Sequence, residues 1–119
     1  MKTINLKTSA IELSTRLHSR EITAVDLLQA TLNRIDDVNP KIKAIVALRK
    51  DRDKLLEEAL AADIDLDSAA ASADKEIGWL RGIPLAIKDL ANAEGFPTSR
   101  GCPLFGERTL GEDDDGCKF

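Results

Sequence analysis

Apolar residues recur along the first half of the chain at helical spacing and then change rhythm. Ala10, Leu13 and Leu17, with Ile11 beside them, fall on one face of a helix. Ser9 followed three residues later by Glu12 has the form of a capping box, which predicts that this helix starts at Ser9. Thr23 with Asp26 repeats the start signal. Val25, Leu28, Leu32 and Ile35 then form the clearest amphipathic stripe in the chain. The second helix is predicted to end near Val38, because Pro40 disfavours helical geometry at Asn39. From Lys41 to Leu48 the apolar residues Ile42, Ala44, Val46 and Leu48 share one parity, which predicts a short strand. Asp51 is placed to cap a third helix carrying Leu55, Leu56, Ala59 and Leu60. That helix is predicted to fade across the Ala/Asp-rich stretch from Ala61 to Asp74, read as an exposed connector.

The run from Arg81 to Leu90 is short, apolar and bounded by turn residues: Gly82 and Pro84 before it, Gly95 and Pro97 after it. Such a run predicts a buried strand, with Pro84 near its first position, where a missing N–H does least harm. Alternation puts Ile83, Leu85, Ile87 and Asp89 on one face, and Pro84, Ala86 and Lys88 on the other. The second face is small and ends in an ammonium, which is a way to place a lysine in a pocket. From Ala91 to Gly106 glycines and prolines predict loop. Residues 107–119 are acidic, with no packing pattern, and predict an irregular tail. The fold class expected is α/β: N-terminal helices followed by the first strands of a sheet.

Composition narrows the function. At 119 residues the chain is one domain's worth. A net charge of −4 gives no electrostatic reason to bind nucleic acid or an anionic membrane, and 3% aromatic content leaves few base-stacking surfaces. No apolar run approaches membrane-spanning length, and Met1 to Leu17 lacks the apolar centre of a signal peptide. The two cysteines, Cys102 and Cys117, form neither a metal-type spacing nor a disulfide framework. A reducing, cytoplasmic setting is the expectation.

Each candidate for chemistry has a plain alternative. Lys88 at the end of an apolar strand is either a solvated strand end or a desolvated amine, able as a neutral base to take a proton from a hydroxyl nucleophile. In the second case Asp89 must point away, since a nearby carboxylate would favour the ammonium. Asp63-Ile64-Asp65-Leu66-Asp67-Ser68 resembles the opening of a calcium loop. It has Ser68 where a turn glycine is required and Asp74 where the bidentate glutamate belongs, so it reads as a solvated acidic connector. His18, the only histidine, sits at the edge of an apolar stripe and reads as structural. No serine lies in a nucleophile-elbow pattern, Ser9 being a cap and Ser99 a turn residue. Neither a metal nor a cofactor is expected.

Together these segments resemble the opening part of an amidase-signature enzyme, over roughly Ser9 to Gly106. Arg20-Glu21-Ile22-Thr23-Ala24-Val25-Asp26-Leu27-Leu28 is similar to the start of the family's second helix. Arg34-Ile35 through Asn39-Pro40-Lys41-Ile42-Lys43-Ala44 is similar to its "R-I-x-x-x-N-P-x-x-N-A" segment, with Lys43 in place of asparagine. The most specific stretch is Gly82-Ile83-Pro84-Leu85-Ala86-Ile87-Lys88-Asp89-Leu90, followed by Gly95-Phe96-Pro97-Thr98-Ser99 and Gly101. In the family this "G-I-P-x-x-I-K-D" strand belongs to a mixed sheet and carries the catalytic lysine, which implies that role for Lys88. The resemblance implies residues 1–119 as the N-terminal portion of an amidase-signature domain.

The implied activity is hydrolysis of a linear, small-molecule amide. A neutral lysine takes a proton, through a bridging serine, from a second, nucleophilic serine. Backbone N–H groups hold the oxyanion, and water hydrolyses the acyl-enzyme. In the family both serines follow the lysine in a Gly/Ser-rich stretch, which this sequence does not contain. It looks like an amidase cut short, expected to be inactive alone and to self-associate through exposed sheet edges. Two other readings stand beside this one. The first is a non-catalytic helical module docking a partner through Val25, Leu28, Leu32 and Ile35. The second is the amidase-like subunit of a transfer-RNA-dependent amidotransferase, ranked below a general amidase because Leu90 stands where that subunit often has asparagine.

Overall fold

The computed structural model describes residues 3–72, 76–91, 93, 96–102 and 104; the acidic tail 107–119, with Cys117, lies outside them. Three helices run through the described residues: α1 (Ala10–His18), α2 (Ala24–Ile42) and α3 (Arg52–Ala71). By contact the chain divides into two compact units, Met1–Ala44 with Arg49–Pro84, and Ile45–Leu48 with Leu85–Phe119.

The first unit holds the helices. Ser9 caps α1 as its sequence predicts, its hydroxyl accepting from the Glu12 N–H at 3.2 Å. The helix ends on a left-handed residue, Arg20, with φ 58°. The Arg20 N–H reaches the Leu17 carbonyl at 3.0 Å and the Glu21 N–H the Arg16 carbonyl at 2.9 Å, the paired bonds that close a helix C-terminus. Leu13 and Leu17 from α1, Leu27, Leu28 and Leu32 from α2, and Ala59, Ala62 and Leu66 from α3 form one buried cluster with Ile22 and Ala24. Gly82 closes against it at φ 84°; a Cβ there would lie 3.0 Å from the Ala24 Cβ and 3.6 Å from both Leu17 and Leu66 methyls.

Three helix ends differ from expectation; at the start of α3 Asp51 holds the N-cap position, but its carboxylate accepts from the Arg49 guanidinium at 2.9 and 2.7 Å and makes no capping bond. α2 passes through Pro40 to Ile42 and stops at Lys43, left-handed at φ 50°, whose N–H bonds the Asn39 carbonyl at 2.7 Å. Pro40 sits in the last turn, where its fixed φ suits a helix and one lost hydrogen bond is tolerated by a helix already anchored through Leu27, Leu28 and Leu32. α3 continues through Ala71 instead of fading, because Ala59, Ala62, Asp63 and Leu66 follow the i, i+3, i+4, i+7 spacing of a core face and are all buried. The stretch read as an acidic connector, or as a calcium-loop mimic, is therefore helix up to Ala71.

The α/β expectation is corrected: the described residues are all-helical and contain no strand. Lys41–Leu48 loses its first two residues to α2, and the left-handed Lys43 then breaks the alternation. Residues 83–88 are neither helix nor strand, and no described backbone group bonds the N–H of Leu85, Ala86 or Ile87. A strand exists only through pairing, and the apolar pattern alone supplies no partner. Leu85 and Ile87 are accordingly 50% and 40% exposed, where burial is predicted.

Candidate functional site

The second unit carries the lysine. Lys88 ends the segment that no described strand pairs, and its side chain is exposed, outside any buried strand or closed pocket among the described residues. Directly after it the chain turns, the Ala91 N–H donating to the Lys88 carbonyl at 2.9 Å. The sequence reading asks only that Asp89 point away from Lys88, and the structure gives Asp89 a built environment. Its Oδ1 accepts from the Ser99 N–H at 2.9 Å, and its Oδ2 accepts from the Ser99 hydroxyl at 2.7 Å and the Gly101 N–H at 2.9 Å. The Ser99 hydroxyl, then the Gly101 and Ser99 N–H groups, hold the Asp89 carboxyl down to a pKa of about 2. Arg100 and Gly101 are both left-handed, φ 52° and 72°, which turns successive N–H groups toward one anion. The signal available in the sequence is Ser99-Arg100-Gly101, a turn whose donors need an acceptor.

The other candidates have settled partners. The His18 Nδ1 lies 2.9 Å from the Ser14 carbonyl, so that nitrogen carries the proton and cannot act as a base toward Ser14. The Ser14 hydroxyl donates instead to the Trp79 carbonyl. These residues make no Ser–His pair for catalysis, in line with the structural reading of His18. Asp63 is buried, accepting from the Ala24 N–H at 2.8 Å, the Val25 N–H at 3.2 Å and the Arg20 guanidinium at 2.7 Å. With Thr23 accepting from the Asp26 N–H at 3.0 Å, it completes the capping of the α2 N-terminus. No group of three or more metal-ligating side chains occurs among the described residues. A shallow open groove in the first unit is lined by Ile11, Ser14, Thr15 and Trp79 and carries no titratable group. Among the described residues no helix is long and apolar enough to cross a membrane.

Comparison with known proteins bears on the same residues. The sequence model of the family described as Amidase matches residues 26–115, a span that includes Lys88 and Asp89. The chain is 39% identical over 102 residues to a glutamyl-tRNA(Gln) amidotransferase subunit of Paenarthrobacter aurescens, covering 83% of this chain and 18% of that protein. It is 42% identical over 101 residues to the protein of the same name from Renibacterium salmoninarum, covering 83% and 18%. With that of Chromobacterium violaceum it shares 40% over 90 residues, covering 76% and 17%. The chain thus spans about 18% of the length of the first of these relatives. No solved structure matches it.

Proposed function

This chain belongs to the amidase family, and we propose that it supplies the general base, Lys88, of an amide-cleaving site whose other parts lie on residues outside this sequence. The observation that carries the reading is the family match across the Gly82–Leu90 motif. In the proposed reaction the nucleophilic serine gives its proton through the bridging serine to the Lys88 Nζ. The serine oxygen bonds the amide carbon, the C–N bond breaks, and the proton passes to the departing nitrogen. An amidase then sends water to the acyl-enzyme. An amidotransferase passes the amido group on, as the name of the relatives states. Both need the same first step and the same base. The relatives bring the amidotransferase form forward, against the ranking drawn from Leu90.

Burial and pairing set the condition for this role. Lys88 is exposed, so the proposed site needs a further surface that closes over it and excludes water from the reacting groups. The proposal therefore holds that the chain alone is inactive, and it keeps the cytoplasmic setting and the small-molecule amide expected from the sequence. The docking-module reading loses most of its surface, Ile35 alone of its stripe lying outside the core cluster. Leu28 and Leu32 are buried in the chain's own core, with Val25 packed against it.

The test is complementation. The chain is mixed with a polypeptide that begins after the matched portion of one of these amidotransferase relatives and contains both serines. Amide hydrolysis is expected from the mixture and from neither part alone. Lys88→Ala should lower the rate about 10²–10⁴-fold, the usual worth of a positioned base. Equal turnover by the wild-type and Lys88→Ala mixtures would remove Lys88 from the mechanism.

A further inference from the structure

We infer that Asp89 is the positioning residue for Lys88: by gripping the 99–101 turn, its carboxylate fixes the backbone from which the lysine projects. The inference rests on the reading of Lys88 given above and extends it to a residue with no contact to substrate.

The starting point is what does not hold the lysine. Its side chain is exposed, and no described side chain partners it. The segment before it makes no backbone bond from Leu85, Ala86 or Ile87 to a described residue. Its direction is therefore set by the backbone immediately after it. Two anchors exist there: the Ala91 N–H on the Lys88 carbonyl, and the three bonds of Asp89 to Ser99 and Gly101. The Asp89 bonds join positions ten or twelve residues apart, so they tie the end of the segment to a second turn rather than to itself. That turn is closed on its own account by the Cys102 N–H on the Ser99 carbonyl at 2.9 Å. Bonds from N–H and O–H donors to a carboxylate are about twice as strong as neutral ones.

The same bonds have a second consequence. A carboxylate adjacent in sequence to a lysine can compete for its amine as an ion-pair partner. Here both Asp89 oxygens are occupied by donors from residues 99 and 101. The side chain that could spoil the base is instead the one that anchors it.

The test uses the full chain and amide hydrogen exchange read by NMR, with Asp89→Asn, Ser99→Ala and Lys88→Ala. Asn places its NH₂ against the Ser99 N–H in one orientation and against the Gly101 N–H in the other, so donor meets donor at one of these two amides. Exchange at the Ser99 and Gly101 amides should rise at least tenfold, and the Lys88 Cα shift should move to its random-coil value. The signals of Leu17, Leu27 and Leu66 should stay in place, showing that the helices persist. Ser99→Ala, which keeps the Gly101 bond, should give an intermediate effect. Lys88→Ala should leave the 99–101 amides protected. In the complemented mixture Asp89→Asn should lower kcat with KM unchanged. The inference is overturned if Asp89→Asn leaves Ser99 and Gly101 protected, or frees them without moving the Lys88 signal. Failure of Lys88 as the base shows differently, as hydrolysis that survives Lys88→Ala.

Discussion

At Asp63 one oxygen accepts from both Arg20 and the Ala24 N–H, and the other accepts from Val25. Truncating it strips the first two N–H groups of α2 of their acceptor and leaves Arg20 with Asp67 alone, at 2.7 Å. Asp63→Ala should therefore destabilise the helical unit by about 2 kcal/mol, a lost cap plus buried donors left unmade. Urea unfolding followed by circular dichroism measures this; a loss under about 0.5 kcal/mol would mean that water replaces the carboxylate. Asp89 makes a comparable set of bonds nearer to solvent, and its consequence is a pH dependence. Its folded pKa of about 2 lies below the ordinary aspartate value. The order it confers on the 99–101 turn is thus fully present above about pH 4 and is lost as pH falls through 2. The Gly101 amide shift in an acid titration should show its midpoint near 2. A midpoint near 4 would mean that the carboxylate is not held.

Among the elements, the helix ends carry the clearest predictions. Lys43 terminates α2 at φ 50°, a conformation costing a side chain roughly 1 kcal/mol that glycine does not incur. Lys43→Gly should therefore stabilise the chain by up to about 1 kcal/mol, seen as a higher Tm. Gly82→Ala should act in the opposite sense, by about 1–3 kcal/mol, since it strains a positive φ and drives a Cβ to 3.0 Å from Ala24. These sites also show what the sequence could reveal. Ser9 and Thr23 announce their helices because a cap is a local interaction written within four residues. The stripe from Leu28 to Leu32 is legible for the same reason. Asp63 was hidden because a carboxylate in an acidic run reads as solvated until its partners 38 and 39 residues away are known. Lys41–Leu48 and Arg81–Leu90 form no strand among the described residues, because alternation records what a segment would bury if paired, and pairing is not a property of the segment. Lys88 was legible as a motif, whereas the grip of Asp89 on the turn beyond it was not.

At the scale of the whole molecule, the buried core belongs entirely to the first unit, while the segment bearing the family motif leaves Leu85, Ile87 and Leu90 exposed at 50%, 40% and 65%. The N–H groups of Leu85, Ala86 and Ile87, which no described backbone group accepts, lie along the same stretch. Apolar side chains beside such backbone form a template for a second chain, even without the sheet edge first expected to provide it. The net charge of −4 opposes association weakly, and salt screens it. We therefore expect the sedimentation coefficient to rise with protein concentration, more steeply at high salt. Replacing Leu85 and Ile87 together by lysine should flatten that dependence. Neither residue belongs to a helix or to the buried core, so the helical circular dichroism should not change. If the double variant associates as the parent does, the contact lies elsewhere, and the exposed pair Leu60 and Ile64 on α3 becomes the surface to substitute next. If it sediments as a monomer with its helices intact, the motif segment is the adhesive part of the chain. That is the behaviour expected of a surface that the proposed amide-cleaving site would cover.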